Sequence, residues 1–450
     1  MTNIYSGTKV DEVHSGQVRM AYRLAEHYAD QLLYVYGIGW LSWDGTRWSD
    51  RDPGAPKRAV VEILRAALAE SLGDKQLQAD VRKCESASGV AGVLDLAAAL
   101  EPFATTVADL DADPYLLNVA NGTLDLRTIE LQPHDPADRI TKVTRAAWDS
   151  AAPTATWGTF LAQVLPDAKV REFLQRLAGV GLLGLVVEHV LPILTGSGAN
   201  GKGTFYKAVG HALGDYASTV EPDLFLHRQG AHPTGEMDLL GKRWVVVSET
   251  EKDRRLAEAT MKRLTGGDTI RARRMRQDFI EFAPSHTAIM VTNHLPKVSG
   301  DDPAIWRRLR VIPFAVVIPE AERDKHLDEA LQLDANAVLA WAVAGYTDYA
   351  ARGELTEPAS VLTATDNYQK ASDAVARFLD EETTRCAGFA TIADMFARWA
   401  RWSLTDGTEP ISQRAFGQAL ESHGLTRDRS NGKHIMRGVI LNSEDQEVDS

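Results

Sequence analysis

Cysteine is nearly absent from this chain: two in 450 residues, Cys84 and Cys386, far apart in the sequence. That excludes a disulfide framework and a cysteine-built zinc site, and it fits a reducing, cytoplasmic setting. Long apolar runs are missing as well. The most membrane-like stretch, residues 177–194, is interrupted by Glu188, His189 and Pro192. It reads as a buried helix running into a buried strand, and no membrane partner is expected. The opening residues hold no apolar core of the kind a signal peptide needs. An excess of positive charge is also lacking, since the net charge is −13. This excludes a uniformly basic nucleic-acid coat but leaves room for a local basic patch. Repeats and low-complexity segments are absent, and the length admits two or three domains.

What is present is an alternation of helical and strand-like segments. Residues 14–36 have helical spacing, and Trp40 to Trp48 reads as a hairpin around Asp44-Gly45, its tryptophans forming a small apolar cluster. Residues 55–100 are rich in alanine and leucine and read as helical. Short strands follow between Pro114 and Trp148, including Ile140–Val143, and residues 157–187 return to helix. From Pro192 to Phe314, buried strands at Val245–Val247, Ala288–Val291 and Leu309–Ile312 alternate with helices, which predicts a mostly parallel sheet. The segment 321–384 is helical. Residues 385–441 give two helices and a two-stranded turn at Asn431-Gly432, a winged-helix-like arrangement. The expected class is α/β: a mixed N-terminal domain over 1–150, a core over 157–320, a helical segment and the C-terminal domain.

The chain is organised around one stretch. Leu191–Thr195 reads as a strand, and it feeds the loop Gly196, Ser197, Gly198, Ala199, Asn200, Gly201 and Lys202. Glycines let backbone N–H groups turn inward, and the helix that follows adds partial positive charge where a phosphate would sit. Lys202 supplies a point charge for the β- and γ-phosphates, so the loop reads as an ATP site. The pattern departs in one place. Gly203 stands where a magnesium-binding hydroxyl is usual, and Thr204 carries a hydroxyl one residue later.

Hydrolysis needs an acid, and the next buried strand ends in Glu249 and Glu251. Glu249 suits the polarising of water and the holding of Mg2+, with Glu251 as helper. A further strand ends at Asn293, an amide able to hydrogen-bond a γ-phosphate or the attacking water. Arg307 and Arg308 then precede a buried strand, and either suits an arginine finger supplied to a neighbouring subunit. The plain alternatives are a solvated strand end for the acids and a structural ion pair for the arginines.

Phosphate loop, Ser248-Glu249 strand end, Thr292-Asn293 tip and Trp306-Arg307-Arg308 element together resemble a superfamily 3 helicase. The phage and plasmid primase-helicase branch, related to the poxvirus primase-helicase, is the nearest likeness. Leu264–Arg273, Phe279–Pro284 and the segment from Asn121 to Trp148 resemble that branch too. The resemblance implies an AAA+-type P-loop core, a homo-oligomeric ring, most simply a hexamer, ATP with Mg2+, and movement along single-stranded or forked DNA. Glycine in the Gly203 slot is a variant within the branch.

Charge distribution points to DNA independently. Between Lys252 and Arg276 there are nine Lys/Arg against three Asp/Glu. Overlapping the end of this segment, Thr269–Phe282 reads as a hairpin, and the family places such a hairpin in the ring's pore. Arg271, Arg273, Arg274 and Arg276 are the expected backbone contacts. Arg427, Arg429, Lys433 and Arg437 of the tail are a second basic group, for which DNA and protein contacts stay equally open. The first 40 residues are too few for a fused primase, so a separate primase or polymerase is the expected partner. Two other readings stand beside the motor: a P-loop NTPase acting as regulator or DNA-packaging factor without unwinding, and a nucleotide-binding subunit with a degraded site.

Overall fold

The computed structural model describes residues 14–226, 233–248, 254–273, 279–298, 302–408, 411–430 and 432–442. The chain forms two compact units. The first takes residues up to 296 and 307–361, and the second takes 297–306 and the chain from 362 onward. The class is mixed α/β, with several separate sheets.

Among the described residues the first element of the first unit is the helix Gly16–Tyr28, shorter than its spacing predicts. Leu32–Val35 leaves helical geometry and forms a strand, antiparallel to Gly39–Trp43 and parallel to Ala104–Thr105. Its β-branched and aromatic content and the Gly37 and Gly39 turn behind it favour that outcome. The tryptophan hairpin is present, with Trp43 opposite Trp48. Trp40 packs edge-on against Tyr34 and Phe103, at 5.3 and 5.4 Å between ring centroids, so these rings close a core. Helices Ala55–Glu70, Lys75–Cys84 and Ala87–Ala97 complete this region. Leu116–Val119, Gly122–Asp125 and Glu130–Gln132 form a small antiparallel sheet. Ile140–Val143 is not a strand. The backbone of Val143 there meets the Asp215 carboxylate and Asp215 N–H instead of a strand partner.

The expected helix over 157–187 is two helices, Ala155–Val164 and Ala168–Val180. Pro166 breaks the first, and Asp167 caps the second by accepting from Lys169 N–H. The second helix lies against Ala335–Arg352 so closely that a Cβ on Gly345 would fall 1.9 Å from the Gln175 carbonyl oxygen.

At the centre stands a five-stranded parallel sheet. Its order is Leu309–Pro313, Leu191–Thr195, Thr287–Thr292, Trp244–Ser248, Ala217–Val220. The inner strands are buried on both faces and read as continuous apolar runs, as parallel strands do. A short antiparallel ribbon, Ile270–Ala272 with Ile280–Phe282, is inserted ahead of the strand Thr287–Thr292.

The second unit is a small domain with its own core of Phe378, Trp399, Phe416 and neighbours. Helices Ile392–Asp406 and Gln413–Ser422 precede the strands Thr426–Ser430 and Lys433–Leu441. A strand not evident in the sequence, Thr383–Thr391, pairs with the last of these to make a three-stranded sheet. Its alternation is masked by exposed Thr384, Arg385 and Cys386.

Candidate functional site

Four buried residues, Leu191 to Leu194, carry the chain to the carboxyl edge of the sheet, where ligands bind in open α/β folds. The loop turns there through left-handed backbone at Gly198, Ala199 and Gly201. Gly196 is required sterically as well: a Cβ there would fall 2.2 Å from Asn200 Nδ2 and 2.4 Å from the Phe314 carbonyl oxygen. Asn200, 2% exposed, donates from Nδ2 to that same carbonyl at 3.1 Å and pins the loop to the neighbouring strand.

The helix Lys202–Leu213 starts directly from the loop. Aromatic rings hold it from behind, with Phe205 stacked on Trp157 at 5.8 Å and packed against Phe314 and Trp341. Rings this well buried add about 0.5–1.5 kcal/mol per pair beyond area burial, enough to keep the helix end fixed.

Lys202 is 5% exposed, and its Nζ donates to three oxygens: Gly196 O at 2.7 Å, Asn200 Oδ1 at 3.1 Å and Asn293 Oδ1 at 3.2 Å. All three are neutral, and burial pushes the ammonium pKa down. No carboxylate is bonded to it among the described residues. A buried cation served only by dipoles gains greatly from an arriving anion. Asn293 reaches it because its strand is the immediate neighbour of the loop strand, with Thr292 opposite Thr195.

The strand Trp244–Ser248 surfaces at the same edge, Ser248 opposite Val291. Glu249 and Glu251 lie outside the described residues, as do Arg274 and Arg276. Thr204 is turned away from the loop, and its hydroxyl donates to Asp328 at 3.0 Å. Nothing lies within 4 Å of where a Cβ on Gly203 would stand. A cavity of about 600 Å³ opens beside the loop, lined by Thr156, Thr159, Gln163, Thr204, Arg323 and Leu327 among others. Its residues come from three separate segments, which is why the sequence did not reveal it.

Arg307 and Arg308 stand at the other edge. Their strand runs parallel to the loop strand, Leu309 opposite Leu191 and Pro313 opposite Thr195. The loop follows Thr195 and the arginines precede Leu309, so about 20 Å of strand separates them at ~3.3 Å per residue. Arg307 is exposed, while Arg308 is half-buried, its Nη2 3.8 Å from where a Gly266 Cβ would stand. Arg310 is structural, bonded to Glu357 and to the Arg307 and Leu309 carbonyls. Arg271 and Arg273 project from the exposed face of the ribbon. In the tail, Arg427 is paired with Glu421 at 2.7 Å and Arg437 with Asp428 at 2.6 Å, so half of that basic group is already neutralised.

Two family models match the chain: D5 N terminal like over residues 21–166, and a family of unknown function, DUF5906, over 194–308. Each model covers less than half of the chain, and the relatives that the chain resembles are provisionally named helicases and primases of large DNA viruses. Among these relatives, protein L207/L206 of Acanthamoeba polyphaga mimivirus, named provisionally as a helicase, is 30% identical over 213 residues, 46% of this chain and 22% of that one. Protein 022R of Frog virus 3, also named provisionally as a helicase, is 24% identical over 67% of this chain and 32% of its own length. Protein C962R of African swine fever virus, named provisionally as a primase, is 23% identical over 67% and 34%. The chain thus spans between a fifth and about a third of the length of these curated relatives. A solved structure, the NrS-1 C-terminal region, aligns at a TM-score of 0.41 and 14% identity, covering 66% of this chain and 77% of that one. The matched D5-type segment ends at the helix Ala155–Val164, which backs the loop. Among the described residues no helix is long and apolar enough to cross a membrane, and no group of three or more His, Cys, Asp or Glu is placed to hold a metal.

Proposed function

We propose that the chain is a P-loop ATPase of the superfamily 3 helicase type, which spends ATP to move on single-stranded or forked DNA during phage or plasmid replication. The observation that carries this reading is Lys202, buried behind the glycine loop, bonded to three neutral oxygens and touching Asn293. A triphosphate entering the loop meets the lysine charge, the free N–H groups of the helix start and the Asn293 amide together. The 600 Å³ cavity beside the loop has room for the nucleoside. Mg2+ would be held by Glu249 and the phosphates themselves, neutralising charge on the transferred group. Thr204 already donates its hydroxyl to Asp328, which favours Glu249 over Thr204 as ligand.

The opposite-edge position of Arg307 supports a ring. An arginine at the amino edge cannot reach the loop of its own chain, so any action on nucleotide is on a neighbour's. Exposure favours Arg307 over Arg308 for that task. The ribbon arginines Arg271 and Arg273, with Arg274 and Arg276, supply a sequence-independent grip on the DNA backbone.

The test is ATP hydrolysis with and without single-stranded DNA for wild type, Lys202→Ala and Arg307→Ala. DNA-stimulated turnover is expected in wild type and lost in both variants, with ATP binding kept in Arg307→Ala alone. Turnover indifferent to DNA in wild type would sink the motor and favour a regulatory NTPase.

A further inference from the structure

The ribbon Ile270–Ala272 with Ile280–Phe282 has two unlike faces. Ile270, Ala272, Ile280 and Phe282 are buried, while Arg271, Arg273, Phe279 and Glu281 are exposed. Side chains alternate along a strand, so these two sets occupy opposite faces. On the exposed face an aromatic ring stands among charges. Phe279 is 42% exposed, and the guanidinium carbons of Arg271 and Arg273 lie 4.8 and 4.6 Å from its ring centroid. Glu281 approaches Arg271 at 3.7 Å, a loose pairing between two side chains about two-thirds exposed.

An electrostatic rail for phosphate needs cations and no ring. A ring needed for packing would turn to the buried face, where Ile280 and Phe282 already sit. An aromatic surface flanked by two guanidinium planes instead matches a ligand that is planar and anionic by turns. That description fits a strand of unpaired nucleotides. A second exposed aromatic is next in sequence to a residue that meets the ribbon. One residue of the ribbon's buried face touches the N-terminal region, where a Cβ on Gly37 would come 2.9 Å from Ile280 Cγ2. Tyr36, the residue before that contact, is 73% exposed.

We propose that Phe279 stacks on an unpaired base of single-stranded DNA, that Arg271 and Arg273 exchange the ring for the flanking phosphates, and that Tyr36 contributes a second stacking surface from the N-terminal domain. This rests on the DNA reading above and adds a base-dependent part to a grip otherwise made through the backbone. Stacking is indifferent to base identity, so it suits a motor, but it requires bases that are present and unpaired.

The experiment compares binding of a fluorescein-labelled oligothymidylate with an abasic oligonucleotide of the same length, by anisotropy at moderate salt. Wild type is expected to prefer the oligothymidylate by about tenfold, the scale of one or two base–aromatic stacks. Phe279→Ala should lose the preference while keeping its affinity for the abasic strand, and Phe279→Trp should restore it. Tyr36→Ala should remove a smaller part, about threefold. Both positions are exposed, so folding is spared. A preference that survives in Phe279→Ala, or is missing in wild type, overturns the proposal. Wild type that binds neither strand overturns it together with the DNA reading, whereas normal DNA stimulation of ATPase with no base preference overturns the stacking alone.

Discussion

The two edges of the central sheet treat their cations in opposite ways. At the carboxyl edge Lys202 is buried and tethered by three neutral oxygens. At the amino edge Arg307 is exposed, and the described residues offer its guanidinium no partner. One cation is pre-organised for an anion brought into the chain; the other is held out for something beyond it. Parallel register keeps them about 20 Å apart, so the two cannot meet on one nucleotide within a single chain. In the proposed ring, each chain would carry halves of two different sites, and a site completed by a neighbour's arginine would tie hydrolysis to assembly.

The largest expected effect is at the carboxyl edge. Lys202→Ala removes the buried charge on which the proposed phosphate binding rests, so both nucleotide binding and hydrolysis should vanish, turnover falling by at least ~1,000-fold. Fluorescent-nucleotide titration and phosphate release measure the two losses. Binding that survives would mean the loop cradles something other than a triphosphate. Arg307→Ala comes next, with turnover down by a factor on the order of 1,000 and binding intact. Mixing the two inactive variants sharpens the contrast between edges. A Lys202→Ala subunit still offers Arg307 to the intact loop of an Arg307→Ala neighbour, so activity should return at intermediate ratios. Silence at every ratio would remove the support for action between subunits.

Much of the carboxyl edge was legible in the sequence because its chemistry is local. Gly196 to Lys202 is one loop, and Asn293 ends a recognisable apolar run. What joined them was not legible. Lys202 touches Asn293 only because their strands are neighbours, a pairing across 91 positions. The choice between Arg307 and Arg308 likewise depends on Gly266 and the helix end packed near Arg308, which spacing cannot reveal. The strands Ala217–Val220 and Thr383–Thr391 were missed for a shared reason. Both lie at sheet edges, where one side meets solvent and apolar alternation fades. The expected helix over 157–187 failed on a signal the sequence did hold, the Pro166-Asp167 break.

The amino edge also carries a pH liability. His286, immediately before the strand Thr287–Thr292, is 2% exposed, neither ring nitrogen has a hydrogen-bond partner among the described residues, and burial pushes its pKa down to about 4. The unfolded chain titrates near the ordinary ~6.5, so between those values the unfolded state holds the extra proton. Stability is therefore fully present above about pH 6.5 and falls as the pH drops toward 4, by up to about 3 kcal/mol. Denaturant unfolding of wild type and His286→Leu at several pH values checks this. The difference between the two should grow steadily in favour of the variant below pH 6.5, and a constant difference would show that His286 is not the titrating group.

The smallest effect returns to the carboxyl edge, at Gly203. Its backbone is ordinary helix, and an added side chain there meets no atom within 4 Å. Glycine so placed costs ~0.5–1 kcal/mol against alanine, so no packing need explains it. Gly203→Ser adds a hydroxyl next to Lys202 at the position where phosphate loops ordinarily hold magnesium. Thermal stability should rise slightly. The Mg2+ concentration needed for half-maximal hydrolysis should fall severalfold, while nucleotide binding in a chelator stays unchanged. If the Mg2+ requirement does not move, the metal at this edge is anchored from the Glu249 side alone, and the loop contributes charge and shape without a ligand.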